Sequence, residues 1–228
     1  MLCEKCHTKL KKDGSNGIWQ AWDCPKCHRV YATHDTSGEL TISSEEIERR
    51  IEKAGLNSDK YAKFTRDAFR EDWQPGVIRE VQNRGDQGCY FYGPTGLGKT
   101  HLAVAYARDK IEQGKQAGVI ETRSLAHLFA MAASFSDDKR QAQYELDRLQ
   151  RLDMVVLDEL GAMESRDEAA IRKDLSSWMD GLKGELWVTA QKKPEGLAED
   201  KRLSRRDVSR IVGRVKMIEF VGKDRRLK

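Results

Sequence analysis

The sequence contains no apolar run that approaches the ~20 residues needed to cross a bilayer as a helix, which excludes a membrane-spanning role. Four prolines and 18 glycines in 228 residues exclude proline-rich and collagen-like fibres. The N-terminus, residues 1–6, has neither the basic start and apolar stretch of a secretory signal nor an Arg/Ser-rich transit pattern. We therefore expect a cytoplasmic protein.

What is present favours one sizeable core with a small appended module, since 39% of the residues are apolar and 34% are charged. Positive charge is concentrated at one end. Residues 192–228 contain 13 Lys and Arg against 6 Asp and Glu, whereas residues 1–60 contain 10 of each. A basic segment can contact phosphate in a nucleotide or a nucleic-acid backbone. Charge alone slightly favours the simpler interpretation, a solubilising surface.

Cysteine is concentrated near the N-terminus. Four of the five cysteines form two C-x2-C pairs separated by seventeen residues: Cys3, Cys6, Cys24 and Cys27. Each pair can place two thiolates on one side of a tight turn, and two such turns complete a tetrahedral zinc site. Disulfides are the alternative, but cytosolic thiols are kept reduced. His7 or His28 could replace a neighbouring thiolate, although four cysteines are the simpler set. Metal binding would supply the folding free energy of this short segment.

Beyond the cysteines, the pattern predicts a helix and then an α/β domain. Ser43 and Glu46 fit a capping box, and Gly55 fits the residue after a helix. Short apolar strands then alternate with amphipathic helices near residues 100–113, 123–134, 138–150 and 166–180, which favours a parallel sheet with crossover helices. The predicted strands are Gly88–Tyr92, Gly118–Glu121, Met154–Asp158, Leu186–Ala190 and Lys216–Val221.

A phosphate-binding loop follows the first of these strands. The pattern G-x4-G-K-T lies between a strand and a helix, the context in which backbone N–H groups and a helix N-terminus cradle phosphates. Lys99 would reach the β- and γ-phosphates, and the Thr100 hydroxyl would bind Mg²⁺. The residues expected to bind the nucleotide are Gly93, Pro94, Thr95, Gly96, Leu97, Gly98, Lys99, Thr100 and His101. Cys89, in the preceding strand, is expected to be a buried core thiol.

A second acidic motif completes the expected site. The strand that begins at Met154 ends in Asp158 and Glu159. Asp158 would hold Mg²⁺ through water, and Glu159 would orient and deprotonate the attacking water. A carboxylate beside the metal acid is typical of hydrolysis, whereas a kinase would need a bound acceptor. The residues alone therefore predict an ATPase.

These motifs together resemble the DnaC/DnaI-type helicase loaders and the related IstB transposition helpers, within the AAA+ ATPases. The resemblance rests on the cysteine pairs, the loop at residues 92–103, the acidic strand at residues 156–161 and the step Ser209-Arg210-Ile211, and it covers residues 54–228 well. It implies a five-stranded parallel sheet flanked by helices, without a separate lid domain and preceded by the zinc ribbon. We expect a zinc ribbon over residues 1–40, a linker and bridging helix over 41–60, and an AAA+ domain over 61–228.

The resemblance also implies roles for three polar residues. In this family the nucleotide lies between subunits, and an arginine is supplied across the interface; Arg210 matches that arginine, and Arg206 would be a second phosphate-sensing residue. Gln191 stands where the family usually has the Asn of a Thr-Ser-Asn step. Its longer amide arm could still donate to the γ-phosphate or the water, but slow hydrolysis is expected, stimulated by oligomerisation or DNA.

Three functions follow from this combination. The leading hypothesis is a replicative-helicase loader that self-associates on ATP and binds a hexameric helicase and single-stranded DNA. The second is an IstB-like helper acting on duplex DNA and a transposase, although such helpers generally lack a cysteine ribbon. The third is a zinc-dependent adaptor that uses ATP as a switch with negligible turnover. The expected cofactors are ATP, Mg²⁺ and Zn²⁺.

Overall fold

The computed structural model describes residues 3, 6, 9, 11–15, 19–27, 30–34, 43–135, 137–162 and 165–224. The N-terminal residues form three short strands: β1 (Lys11–Ser15), β2 (Trp19–Asp23) and β3 (Val30–His34). They make an antiparallel sheet in the order β1-β2-β3. Cys3 and Cys24 are buried, and Cys6 and Cys27 pack against them.

The larger domain is built on five strands. They are β4 (Gly88–Tyr92), β5 (Ala117–Glu121), β6 (Met154–Leu160), β7 (Glu185–Ala190) and β8 (Val215–Glu219). Their order in the sheet is β5-β6-β7-β4-β8, and every neighbouring pair is parallel. The predicted five-stranded parallel sheet is therefore confirmed. Because all the strands run the same way, their carboxyl ends, where the predicted phosphate loop and acidic pair lie, meet at one edge.

Helices cover both faces of this sheet. They are α1 (Ser44–Lys53), α2 (Val77–Gln82), α3 (Lys99–Glu112), α4 (Thr122–Ala132), α5 (Lys139–Gln150), α6 (Ser165–Asp180), α7 (Pro194–Glu199) and α8 (Arg205–Val212), with a 3-10 turn at Glu71–Trp73. The sequence predicted α3 to α6 to within about two residues but not α2 or α7. Among the described residues, no helical lid follows β8.

The two faces of the sheet bury separate apolar clusters, because side chains alternate along each strand. Tyr90 and Val155 pack toward α4, α5, α6 and α8. Cys89, Phe91 and Val156 pack on the opposite face, toward α2 and α3. Cys89 is fully buried, as predicted, and burial raises the pKa of its thiol to about 12. The central strands are apolar on both faces, as expected of a parallel sheet between two helical layers.

Helix α1 begins and ends where predicted, but only the Ser43 half of the predicted capping box forms, because the Glu46 carboxylate accepts hydrogen bonds from Arg49 and Arg50 instead. The Ser43 hydroxyl accepts a hydrogen bond from the Glu46 N–H at 3.2 Å. After the helix, the N–H of Gly55 donates to the carbonyl of Glu52, and the N–H of Leu56 donates to the carbonyl of Ile51. This is a Schellman end, and Gly55 has the left-handed φ of +74° that it requires. The apolar face of α1 packs against α3.

Candidate nucleotide-binding site

The phosphate loop connects the buried strand β4 to helix α3. Gly93 has a φ of +130°, and a Cβ at this position would lie 2.1 Å from the carbonyl oxygen of Phe220, so no other residue fits there without displacing the backbone. Gly98, with a φ of +89°, is the residue that precedes α3. The loop therefore brings its backbone to the N-terminus of a 14-residue helix, where unpaired N–H groups favour an anion.

Lys99 is held at the mouth of this loop. Its ammonium donates to the carbonyl of Gly93 at 2.8 Å and to the carbonyl of Pro94, and only 9% of the residue is exposed. On the other side of the loop, the Thr95 hydroxyl donates to the carboxylate of Asp224 at 3.2 Å. The loop is thus fixed from within by its own lysine and from outside by the C-terminal segment.

Asp158 lies at the centre of the hydroxyl groups at this edge of the sheet. It is fully buried, and its Oδ1 accepts hydrogen bonds from the hydroxyls of Thr100, at 2.8 Å, and Thr189, at 2.6 Å. Its Oδ2 accepts from the hydroxyl of Tyr61 at 3.1 Å. The structure thus brings together Thr100 and Asp158, the two side chains that the sequence assigns to Mg²⁺. A hydroxyl beside a carboxylate is a set of hard oxygen donors that suits this ion.

Glu159, directly after Asp158, has a different environment. Its side chain is 53% exposed, and its φ of +59° is rare for a residue with a Cβ. The pairing between β6 and β7 shifts register between Leu157 and Leu160, and the Glu159 N–H donates to the Thr189 hydroxyl at 2.9 Å. This irregularity directs two successive carboxylates differently, one into the protein and one into the cleft. Thr189 contacts both residues, a role that the sequence analysis missed.

A lysine that the motifs did not indicate also reaches these acids. The Lys60 ammonium lies 2.6 Å from Oε1 of Glu121, 3.2 Å from Oδ2 of Asp158 and 3.4 Å from Oε1 of Glu159. Burial alone would lower the pKa of Lys60, but the carboxylates of Glu121 and Asp158 outweigh it and raise the pKa. For Tyr61 the two effects act in the same direction, because burial and the charge of Asp158 both raise the pKa of its phenol. No periodic pattern in the sequence marks either residue.

A cleft of about 790 Å³ opens beside the loop and extends past Glu159. Aromatic side chains form one wall of it. Phe64 stacks on the His101 ring, with centroids 4.8 Å apart, and the Nε2 of His101 lies 2.8 Å from the carbonyl oxygen of Thr65. Trp73 also lines the cleft. A flat aromatic wall next to a phosphate loop can pack a purine ring. The sequence analysis missed Phe64 and Trp73 because they lie in an irregular segment.

Gln191 also lines the cleft, and its side chain is exposed. Its backbone carbonyl accepts a hydrogen bond from the Gly93 N–H at 3.3 Å, which places the residue beside the phosphate loop. Thr189, two residues earlier, makes the contact with Asp158. The polar-sensor role of Gln191 stays a prediction.

The two predicted arginines lie apart from the cleft of their own chain. Arg210 and Arg206 are on α8, and neither is among the cleft-lining residues. The Nε of Arg210 lies 2.8 Å from Oδ1 of Asp180, and the guanidinium of Arg206 lies 3.6 Å from Oδ2 of the same residue. Asp180 thus holds both guanidinium groups at the end of α6, on the surface. The roles of Arg210 and Arg206 at the nucleotide stay predictions.

The four N-terminal cysteines converge. Their Sγ atoms all lie within 4.8 Å of one another, and the Cys3 Sγ is 3.5 Å from that of Cys6 and 3.6 Å from that of Cys27. Four thiols at these separations fit the donor set of a tetrahedral zinc site. They are close enough to bind zinc, whereas His7 and His28 lie outside the described residues. The zinc ribbon itself remains a prediction.

In the part of the chain that the structure describes, no helix is both long enough and apolar enough to cross a membrane.

Comparison with known proteins found similar sequences and similar folds. The chain is 26% identical over 136 residues to "Replication factor C subunit 4" of Caenorhabditis elegans, a match that covers 56% of this chain and 40% of that protein. A crystal structure of the DnaC helicase loader superposes with a TM-score of 0.55 at 20% identity, covering 72% of this chain and all of that one. The structure of the replication initiator DnaA bound to AMPPCP and single-stranded DNA superposes with a TM-score of 0.55 at 20% identity. This match covers 74% of this chain and 51% of the DnaA chain.

At these identities the structural matches establish the fold, and the chain spans about half or less of the length of the Replication factor C and DnaA chains. The family described as "IstB-like ATP binding protein" matches residues 82–227, which include the phosphate loop, the acidic pair and α8. The chain therefore belongs to the IstB-like ATP binding proteins, an AAA+ family whose nucleotide site is compatible with ATPase activity.

Proposed function

We propose that this protein is an ATPase that loads a replicative DNA helicase. The observation that carries the ATPase part of the proposal is the convergence of the phosphate loop with two carboxylates of different exposure, and the loader part is supported by the fold likeness to the DnaC helicase loader. Thr100 lies 2.8 Å from the buried Asp158, while Glu159 faces the cleft. In this proposal Thr100 and Asp158 hold Mg²⁺, which would balance charge on the phosphates. Lys99 and the loop N–H groups bind the phosphates, and Glu159 orients and deprotonates the attacking water.

The remaining roles in the proposal are assigned to other residues in and near the cleft. Phe64, Trp73 and His101 pack the base, and Gln191 donates to the γ-phosphate or the water. Arg210 reaches the nucleotide of a neighbouring subunit, where a guanidinium stabilises charge that develops in the transition state. Arg206 acts beside it as a second phosphate-sensing residue. This assignment is supported by the position of both arginines on the surface, outside their own cleft.

Hydrolysis is tested by single-turnover measurements with Glu159→Gln. We expect the rate to fall by roughly 10²-fold or more, as for loss of a general base, while ATP affinity stays near that of the wild type. Glu199→Gln is the matched control, because Glu199 is an exposed glutamate on the nearby helix α7. Equal rates for the wild type and Glu159→Gln would reject the role of Glu159. A negligible rate in both would favour the zinc-dependent adaptor.

The role of Arg210 is tested by mixing two inactive variants. An Arg210→Ala subunit retains Glu159, and a Glu159→Gln subunit retains Arg210, so a mixed assembly contains interfaces in which both residues are intact. We expect the mixture to regain activity that neither variant shows alone. Arg205→Ala, in the same helix, is the control and should keep wild-type activity. No recovery on mixing would contradict action across an interface.

Binding of single-stranded DNA is supported by the DnaA match and by one exposed surface. The DnaA structure contains single-stranded DNA. In this chain the Phe135 side chain is completely exposed, and the Lys139 ammonium lies 6.0 Å from its ring centroid. An aromatic ring beside a cation can stack a base and pair with a phosphate. We expect Phe135→Ala to weaken binding of a labelled single strand several-fold, as measured by fluorescence anisotropy, whereas Tyr144→Ala, another exposed aromatic, leaves it unchanged.

The family match favours a second candidate, an IstB-like helper that acts on duplex DNA and a transposase. The same anisotropy measurement with duplex DNA of equal length separates the two. Preference for the single strand, with capture of a purified hexameric helicase in the presence of ATP, supports the loader. Preference for the duplex and no helicase binding would replace it with the helper. The N-terminal cysteine module is the part proposed to contact the helicase, so Cys24→Ser should lose that capture.

A further inference from the structure

The Lys60 ammonium contacts three carboxylates at the candidate site, and none of the site's motifs accounts for it. The separations are 2.6 Å to Glu121, 3.2 Å to Asp158 and 3.4 Å to Glu159. Glu121 is the last residue of β5, and the other two acids are in β6, so one side chain joins the ends of adjacent strands. Asp158 is fully buried, whereas Lys60, Glu121 and Glu159 are partly exposed.

The backbone around Lys60 is fixed to the core. Leu56 is fully buried and Tyr61 is 7% exposed. The guanidinium of Arg108, in α3, donates to the backbone carbonyls of Leu56 and, at 3.3 Å, Tyr61. These bonds tie the segment to the helix that begins at the phosphate loop. The backbone position of Lys60 is therefore set by a packed segment.

The charges in this cluster do not balance. Three carboxylates face one ammonium, so Lys60 offsets about a third of the negative charge. Its contact with Glu159 occupies an oxygen of the carboxylate that the proposed function assigns to the attacking water. Glu159 is also held by its backbone, since its N–H is bonded to Thr189. The carboxylate can thus leave Lys60 by side-chain rotation alone, without rearrangement of β6.

We propose that Lys60 is a positioning residue that restrains Glu159, and that hydrolysis proceeds only when the ammonium releases this carboxylate to the water. The inference rests on the proposed hydrolytic role of Glu159. Two consequences follow from the geometry. Removing the ammonium frees Glu159, which raises turnover at saturating ATP. It also leaves Asp158 and its neighbours more negative, which lowers the Mg²⁺ concentration needed for nucleotide binding.

Lys60→Met tests the inference, because Met keeps the apolar stem and removes the charge. We expect kcat to rise about two- to fivefold, the change that corresponds to loss of a partly exposed ion pair, and the half-saturating Mg²⁺ concentration to fall. Lys60→Arg retains a cation and should stay close to the wild type in both measurements. Lys63→Met is the matched control, since Lys63 is an exposed lysine in the same segment. An unchanged or lower kcat in Lys60→Met, with ATP binding intact, would overturn the inference.

Failure of this inference is distinguishable from failure of the proposed function. The Glu159→Gln substitution is made in both the wild-type and the Lys60→Met background. If Glu159→Gln abolishes hydrolysis but Lys60→Met has no effect, the catalytic role of Glu159 stands and the restraint by Lys60 is wrong. If Glu159→Gln leaves the wild-type rate unchanged, the proposed function itself fails. A gain in Lys60→Met that Glu159→Gln removes supports both.

Discussion

The N-terminal module and the nucleotide-binding domain are held together by different interactions. In the module, the buried side chains that the structure describes are Cys3 and Cys24, next to three five-residue strands. In the domain, the five-stranded sheet is buried between two large apolar clusters. Burial of apolar area can stabilise the domain by itself, whereas a three-stranded sheet of this size needs a further constraint. The stabilities of the two regions should therefore be separable.

Metal removal should give the largest difference in stability between the module and the domain. We expect the purified protein to hold one zinc, and Cys24→Ser to lose both the metal and the N-terminal fold, because the free energy of zinc binding, about 10–16 kcal/mol in small zinc modules, is their folding free energy. Hydrogen exchange would show loss of protection in β1–β3, with β4–β8 unchanged. Cys89→Ala is the control, because this buried thiol lies in the core cluster and should keep the zinc. Freshly reduced protein without zinc would contradict the assignment.

A substitution in the domain core should destabilise the domain and leave the N-terminal module unchanged. Trp187 is fully buried. Its ring centroid lies 5.0 Å from that of Tyr106 and 5.5 Å from that of Phe91, and its indole N–H donates to the carboxylate of Glu185. We expect Trp187→Ala to lower the free energy of unfolding of the domain by about 3–5 kcal/mol, as for other large-to-small core changes. Chemical denaturation followed by far-UV circular dichroism would measure it. Zinc content should stay at one per chain; a loss of zinc would show that the two regions fold as one unit.

A smaller effect is expected at the polar centre of the domain. Thr189→Val removes the hydroxyl that donates to Asp158 and accepts from the Glu159 N–H. We expect the free energy of unfolding to fall by about 1–3 kcal/mol, because the Glu159 N–H loses its acceptor and Asp158 keeps only the hydrogen bonds from Thr100 and Tyr61. Mg²⁺-dependent nucleotide binding should weaken as well. Thr122→Val is the comparison, since the Thr122 hydroxyl is also buried but donates to the backbone carbonyl of Asp158. Equal effects on Mg²⁺ dependence in both variants would argue against a specific role for Thr189.

Features set by local sequence patterns could be predicted, whereas features set by long-range contacts could not. The phosphate loop, its lysine and the acidic pair are local patterns, and the strands around them are short apolar runs that periodicity identifies. Lys60, Phe64 and Trp73 could not be found this way. They lie in an irregular segment, and the contact of Lys60 with Glu159 joins positions 99 residues apart. Such contacts depend on the path of the segment across the sheet edge, which no short pattern encodes. The sequence analysis therefore named the loop, the lysine and the acidic pair that the structure brings to one cleft, and it missed one wall of that cleft.

The smallest effect is expected at the end of α1, between the two regions. Gly55 has a φ of +74°, and a Cβ added there would meet no atom within 4 Å, so Gly55→Ala would introduce backbone strain without a clash. We expect the free energy of unfolding to fall by about 1 kcal/mol. Gly196→Ala is the control, because Gly196 lies in helix α7 with ordinary contacts for a Cβ, and alanine there should be neutral or stabilising. Leu56, directly after Gly55, is packed in the domain core, so the loss should appear in domain unfolding and leave zinc affinity unchanged. A fall in zinc affinity instead would mean that the Schellman end of α1 stabilises the module rather than the domain.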